Sequence, residues 1–147
     1  MSRTLAREDA FKLIFEMELT DISAREALDY LYETADNNNE MWSQEKVSDA
    51  SKKYLERIIS GIEENREYLN EKISPMLKKW TIDRISKVNL SVLRLAFFEI
   101  EFMSDIPHKV TANETVKIAK KYGGEESGAF VNGVIGTLLK SKDAKGE

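Results

Sequence analysis

The 147-residue sequence holds no cysteine, only two prolines and a single histidine. Without cysteine there can be no disulfide, no thiolate zinc site and no thiol nucleophile. The one histidine, His108, follows Pro107 and has no Ser or metal-ligand spacing around it, so it reads as a surface loop residue. Two prolines and seven glycines leave room for long helices rather than many short strands. No apolar run reaches the ~20 residues that a bilayer span needs, and the N-terminal residues carry no signal-peptide core. A cytoplasmic protein without membrane contact is therefore expected. Gly123-Gly124 lacks the Lys-Ser/Thr of a phosphate loop. The carboxylate pairs Glu63-Glu64 and Glu125-Glu126 lie on polar segments suited to solvation. Neither enzymatic activity nor a cofactor or metal is expected.

What the sequence does contain is helical periodicity around one apolar stretch. In residues 88–103, VNLSVLRLAFFEIEFM, eleven of sixteen positions are apolar and they fall on every side of a helical wheel. Such a helix is buried in a core or spans a membrane. Sixteen residues make only about 24 Å, and Arg94, Glu99 and Glu101 argue against lipid. The stretch reads as the central post of an all-α fold. Arg94 within it is either a clamp between helices or a contact to a partner protein.

The other helices follow from stripes and caps. In residues 3–19, Ala6, Ala10, Leu13, Ile14 and Met17 form a core stripe, while Arg3, Arg7, Phe11 and Phe15 form a row four apart, a basic and aromatic side. Ser23 and Glu26 make a capping box for a second helix, and residues 36–42 a polar loop. A third helix is expected over 43–65, with Gly61 marking a close approach. A fourth passes through Tyr68, Leu69 and Ile73 to Ser74-Pro75, and Met76, Leu77 and Trp80 continue the core. Thr111 and Glu114 suggest a second capping box, opening a helix that stops at Gly123-Gly124. A last helix is expected over 127–140, with 141–147 a frayed tail; close packing against a neighbour would account for its Gly133 and Gly136 without any ligand.

Charge is unevenly spread. Residues 20–65 carry eleven acids and five bases, whereas residues 66–94 carry seven bases and three acids, against a net charge of −4 for the whole. Two features could hold single-stranded RNA, which is bound by stacking bases on aromatics and holding phosphates with Lys and Arg. One is Arg3, Arg7 and Phe15; the other is the turn KKYGGEESGAFVNG, with Lys120, Lys121, Phe130 and Asn132. Ordinary core roles for Phe130 and Val131 remain the alternative.

Four blocks, in order, go beyond periodicity: Ala6-Arg7-Glu8 with Ala10; Val92-Leu93-Arg94-Leu95-Ala96 with Glu99; Asn113-Glu114 with Val116 and Ala119-Lys120; and Phe130-Val131-Asn132-Gly133-Val134. Together they resemble the NusB family of transcription antitermination proteins over residues 3–140. The resemblance implies a single compact all-α domain over 1–147, about seven helices in two small subdomains. It implies binding to boxA RNA of ribosomal-RNA leader transcripts together with NusE, a small-subunit ribosomal protein. It also implies loading onto RNA polymerase with other Nus factors, with homodimerisation as a further association. Carried onto this sequence, it places RNA contacts at Arg3, Arg7, Phe15, Glu126 and Phe130. NusE contacts would lie near Asn89 and, after Pro107, at His108 and Lys109. The RNA residues of the two chain ends are expected to form one continuous strip. Thr4 and Leu5 interrupt the denser arginine run of many relatives, Phe15 replaces a frequent tyrosine, and Asn89 replaces an acid. Two other readings are the RNA-binding part of a ribosomal-RNA cytosine methyltransferase, which would need a cysteine nucleophile, and a helical scaffold without RNA.

Overall fold

The structure is a computed structural model and describes residues 3–35, 41–43 and 47–144. Residues 36–40 of the expected polar loop, 44–46 of the expected third helix and 145–147 of the tail lie outside the described residues. The described residues are helical, with no strand among them. They form two compact units, 1–65 and 66–147.

The first unit packs α1 (Arg3–Leu19), α2 (Ala24–Ala35) and α3 (Asp49–Glu64) against one another. The stripe of Ala6, Ala10, Leu13, Ile14 and Met17 is buried, together with Leu28, Leu31, Leu55, Ile58 and Ile59. The capping box of α2 forms in both directions. Ser23 Oγ accepts from the Glu26 amide and Glu26 Oε1 from the Ser23 amide, each at 3.1 Å. The third helix begins later than expected. Ser48 accepts from the Ser51 amide, and the helix starts at Asp49. Residues 41–43 are instead tied to α1 and α2. The Ser43 amide donates to the buried Asp9 carboxylate at 2.7 Å, and Trp42 Nε1 donates to Thr34 Oγ1 at 2.7 Å.

The second unit contains α4 (Arg66–Ile73), a 3-10 turn (Ser74–Leu77), α5 (Lys87–Phe102), α6 (His108–Gly123) and α7 (Glu125–Ala144). Every residue of α5 from Leu90 to Ile100 is buried, and α4, α6 and α7 all pack on it. The apolar periodicity of residues 88–103 is thus satisfied on several sides at once. Ser86 caps α5, its Oγ accepting from the Asn89 amide at 3.0 Å.

Three local expectations change here. Thr111 does not cap α6. Its hydroxyl donates to the buried Glu99 carboxylate at 2.6 Å, and the helix opens a turn earlier, at His108, after Pro107. His108 is consequently a half-buried first helical residue rather than a loop residue. A carboxylate inside the unit needs a donor more than a helix end needs a cap, because an unmet buried charge costs more.

The second change concerns α7, which runs from Glu125 through Ala144, past the expected stop near Lys140. The third concerns glycine. At Gly123 an added Cβ would collide with the Ser127 side chain and come within 3.2 Å of Val88, and Gly124 adopts φ +88°. This pair makes the tight α6–α7 corner. At Gly133 and Gly136, by contrast, an added Cβ would meet nothing within 4 Å. The close packing expected there is absent.

Candidate functional site

In the first unit, the row Arg3, Arg7, Phe11, Phe15 does not form an outer basic and aromatic side. Arg7 is 1% exposed and Phe11 is buried, so the row turns inward. The reason lies on α3: the Tyr54 ring seats both guanidiniums, Arg3 at 4.7 Å and Arg7 at 5.8 Å from its centroid. A cation over an aromatic face is attracted by the ring quadrupole, and the buried Arg7 stem adds packing. The expectation of Arg7 as a surface phosphate contact is corrected accordingly. Arg3 remains exposed. Phe15 is half-buried and tilted against Phe11, with ring centroids 6.1 Å apart.

Elsewhere in this unit charges pair with one another. Arg25 bridges Asp29 and Glu56, each at 2.9 Å, and the Tyr32 hydroxyl donates to Glu56 at 2.7 Å. Burial alone would push the Glu56 carboxyl up, but the hydrogen bonds from Arg25 and Tyr32 outweigh it and hold the group below its usual range. The Tyr32 phenol is pushed up, first by burial and then by its bond to Glu56.

In the second unit, sequence-distant residues converge on a recess of about 360 Å³. It lies where the N-termini of α5 and α7 meet the segment leaving the 3-10 turn. Trp80 and Phe130 supply aromatic walls, Arg84 a cation, Glu126 a carboxylate and Asn89 an amide. Trp80 is 47% exposed, which corrects its expected place in the core. The Asn89 Oδ1 is shielded from solvent yet accepts no hydrogen bond among the described residues. A buried acceptor left unmet is costly and marks a place for a donor. Val131 is fully buried whereas Phe130 is half-buried, so the two neighbours divide between core and recess.

The remaining predicted residues are dispersed. Lys120 and Lys121 are exposed in the last turn of α6, outside the recess lining. The Lys120 stem lies against Gly128, where a Cβ would collide with it. Lys121 Nζ stands 5.4 Å from the Tyr122 ring centroid. Asn132 is exposed on α7, away from the recess lining. Arg94 is 3% exposed and donates to Asn70 Oδ1 at 3.1 Å, joining α5 to α4. The clamp reading holds for Arg94, and the partner-surface reading is corrected because the guanidinium is buried. His108 and Lys109 open α6, whereas Asn89 opens α5. Asn89 lines the recess with Gly123, the last residue of α6, so His108 and Lys109 stand at the other end of that 16-residue helix, roughly 20 Å away.

Sequence reasoning missed Arg84 and the exposure of Trp80. The signal was the run Lys78-Lys79-Trp80 through Arg84, cations flanking an aromatic ahead of a capping serine. It also missed Tyr54 as the seat of Arg3.

The protein is all-α in fold, and its second unit gathers aromatic, cationic and amide groups around one recess. Its sequence matches the family model described as the NusB family over residues 4–140, and the chain belongs to that family. It is 45% identical over 145 residues to the transcription antitermination protein NusB of Clostridium acetobutylicum, covering 99% of this chain and 100% of that one. The Clostridium novyi protein of the same name is 41% identical over 141 residues, covering 96% and 100%. Among solved structures, T. maritima NusB matches with a TM-score of 0.81 at 35% identity, over 95% of this chain and 92% of that chain. A crystal structure of antitermination factors NusB and NusE in complex with dsRNA shares the fold, with a TM-score of 0.80 at 23% identity over 95% and 96% of the two chains.

Proposed function

We propose that this protein is a transcription antitermination factor that binds single-stranded boxA RNA of ribosomal-RNA leader transcripts together with NusE. The observation that carries the reading is the recess of the second unit. A base stacks against Phe130, the Glu126 carboxylate accepts from base amino groups, and Arg84 holds a phosphate. The positive end of the α5 helix dipole favours the same anion, and the unmet Asn89 Oδ1 takes a donor from RNA or from NusE. Lys120, Lys121 and Asn132 extend the contact along the α6–α7 corner. In the first unit, Arg3 on its Tyr54 seat and the half-buried Phe15 offer a second cation and ring. His108 and Lys109 form a separate protein contact at the other end of α6. The assembly acts on RNA polymerase with other Nus factors. The names of the NusB relatives and of the NusB–NusE complex with RNA support this reading.

The test is fluorescence anisotropy with labelled boxA RNA, with and without NusE, across a salt series. Binding strengthens with NusE, weakens with salt, and falls when Phe130→Ala or Arg84→Ala is introduced. Equal affinity for a scrambled RNA at physiological salt overturns the proposal.

A further inference from the structure

A second hollow of the 66–147 unit shares Trp80 and Phe130 with the recess but is otherwise lined differently, with no carboxylate or side-chain amide. It encloses about 350 Å³. Leu77 and Val134 are buried beneath it, Met76 and Trp80 stand on one side, and Ala129 and Gly133 of α7 on the other. The residues lining it include no acid. Lys78 and Lys79 are exposed at its edge and make no ion pair among the described residues. Lys78 holds φ +59°, a left-handed conformation unusual for a side-chain-bearing residue, and this reversal carries the chain from the 3-10 turn to Trp80.

The α7 wall is built from small residues. Ala129, Gly133 and Thr137 recur every four residues on one helical row, and Ala129 and Gly133 are exposed. Glycine weakens a helix interior, and nothing inside the unit occupies the space that a Gly133 Cβ would take. The fold itself therefore gives no packing reason for glycine here. An approaching backbone does: small residues let a second helix come close enough to set its side chains into the hollow.

We infer that this hollow docks an amphipathic helix of a partner protein, one that sets bulky apolar side chains between Trp80 and Gly133 and acidic side chains against Lys78 and Lys79. The mostly apolar lining offers few groups to read a base edge, which favours a protein segment over RNA. The exposed lysine pair selects the sign of its charge. Trp80 is the anchor, a large ring half-exposed at the hollow's edge, of the kind that dominates interface energies.

The probe is a synthetic 16-residue helical peptide with leucines four or three apart and glutamates flanking them. A matched peptide carries lysines in place of the glutamates. Peptide anisotropy and Trp80 emission are read together; Trp42 is buried and supplies a constant background. The acidic peptide binds saturably, shifts the emission to the blue, and binds at least 10-fold tighter than the basic one. Lys78→Glu with Lys79→Glu reverses that order. Gly133→Leu weakens the acidic peptide at least 10-fold without lowering the thermal melt and with boxA RNA affinity unchanged, and Gly133→Ala raises the melt while weakening the peptide less. Absence of saturable binding, equal binding of the two peptides, or wild-type binding by Gly133→Leu overturns the inference. So does a loss of RNA affinity in Gly133→Leu as large as that of Phe130→Ala, which would assign the hollow to RNA.

Discussion

The two units dispose of several of their charged groups differently. In the first, cations are taken up by the unit itself: Arg3 and Arg7 by Tyr54, Arg25 by Asp29 and Glu56, and Lys12 by Glu8 and Asp9 at 3.7 Å. In the second, some internal polar groups are matched by neighbours, as Glu99 is by Thr111 and the Arg94 Nη2 by Asn70. Yet Lys78, Lys79 and Arg84 stand exposed beside half-exposed aromatic rings. The difference teaches that a cation's position in the sequence says little about its availability. A guanidinium next to an inward-facing tyrosine becomes structure, whereas one in an irregular segment ahead of a capped helix stays open to a ligand.

The sharpest way to break this contrast is to remove one arginine from each unit. Arg7→Ala should cost about 3 kcal/mol of stability, measured by urea unfolding, because it removes a buried guanidinium and leaves its partners unmet. Arg84→Ala should leave the same urea curve within about 0.5 kcal/mol, as surface changes do, and lower only RNA affinity. If both variants lose stability alike, the distinction between structural and available cations fails.

Next in size is Phe130→Ala. Base–aromatic stacking contributes about 1–3 kcal/mol, so boxA affinity should fall by roughly 10-fold, read by anisotropy. Phe130→Tyr should keep most of it. Thr111→Val should destabilise by about 1–3 kcal/mol, since it deprives the buried Glu99 of a donor; a thermal melt checks this, and an unchanged Tm would mean that Glu99 is met from elsewhere.

Gly136→Ala, in open space on α7, should stabilise by about 0.5–1 kcal/mol in chemical denaturation. A loss of stability would show that the position is crowded after all. The smallest effect is a pH dependence in the first unit. The Glu56 carboxyl is depressed in the folded state, so its contribution is present above its unfolded value and is lost as pH falls through the folded value. Because the pair is well exposed, the contribution is on the order of a few tenths of a kcal/mol. Glu56→Gln should flatten the acid limb of the stability curve below about pH 4.5, and a wild-type slope in that variant would remove Glu56 from the account.

Helix positions were largely readable in advance because apolar spacing and local caps are local quantities. The core stripe of α1, the Ser23–Glu26 box, the all-round burial of α5 and the Gly123-Gly124 corner all follow from neighbours within one or two turns. The errors arose where a distant residue competed. Thr111 was drawn from its capping role by Glu99, twelve positions away. The start of α3 lies at Asp49, behind the Ser48 cap, and residues 41–43 are held instead by Asp9 and Thr34. In the candidate site, Phe130, Glu126 and Asn89 were named from sequence and do share one recess. Trp80 reads as core from sequence, because an aromatic among apolar residues does so unless its neighbours fail to cover it, and Arg84 belongs to no motif.

The sequence by itself determined an all-helical chain, its caps and stops, and the family to which it belongs, because each depends on residue type at fixed spacing. Only the tertiary structure decided which arginines are buried, which aromatics stay exposed, and that Asn89 and Phe130 meet while His108 stands at the far end of α6. Burial and proximity depend on which helices pack together, and that is a property of the folded unit rather than of any local stretch.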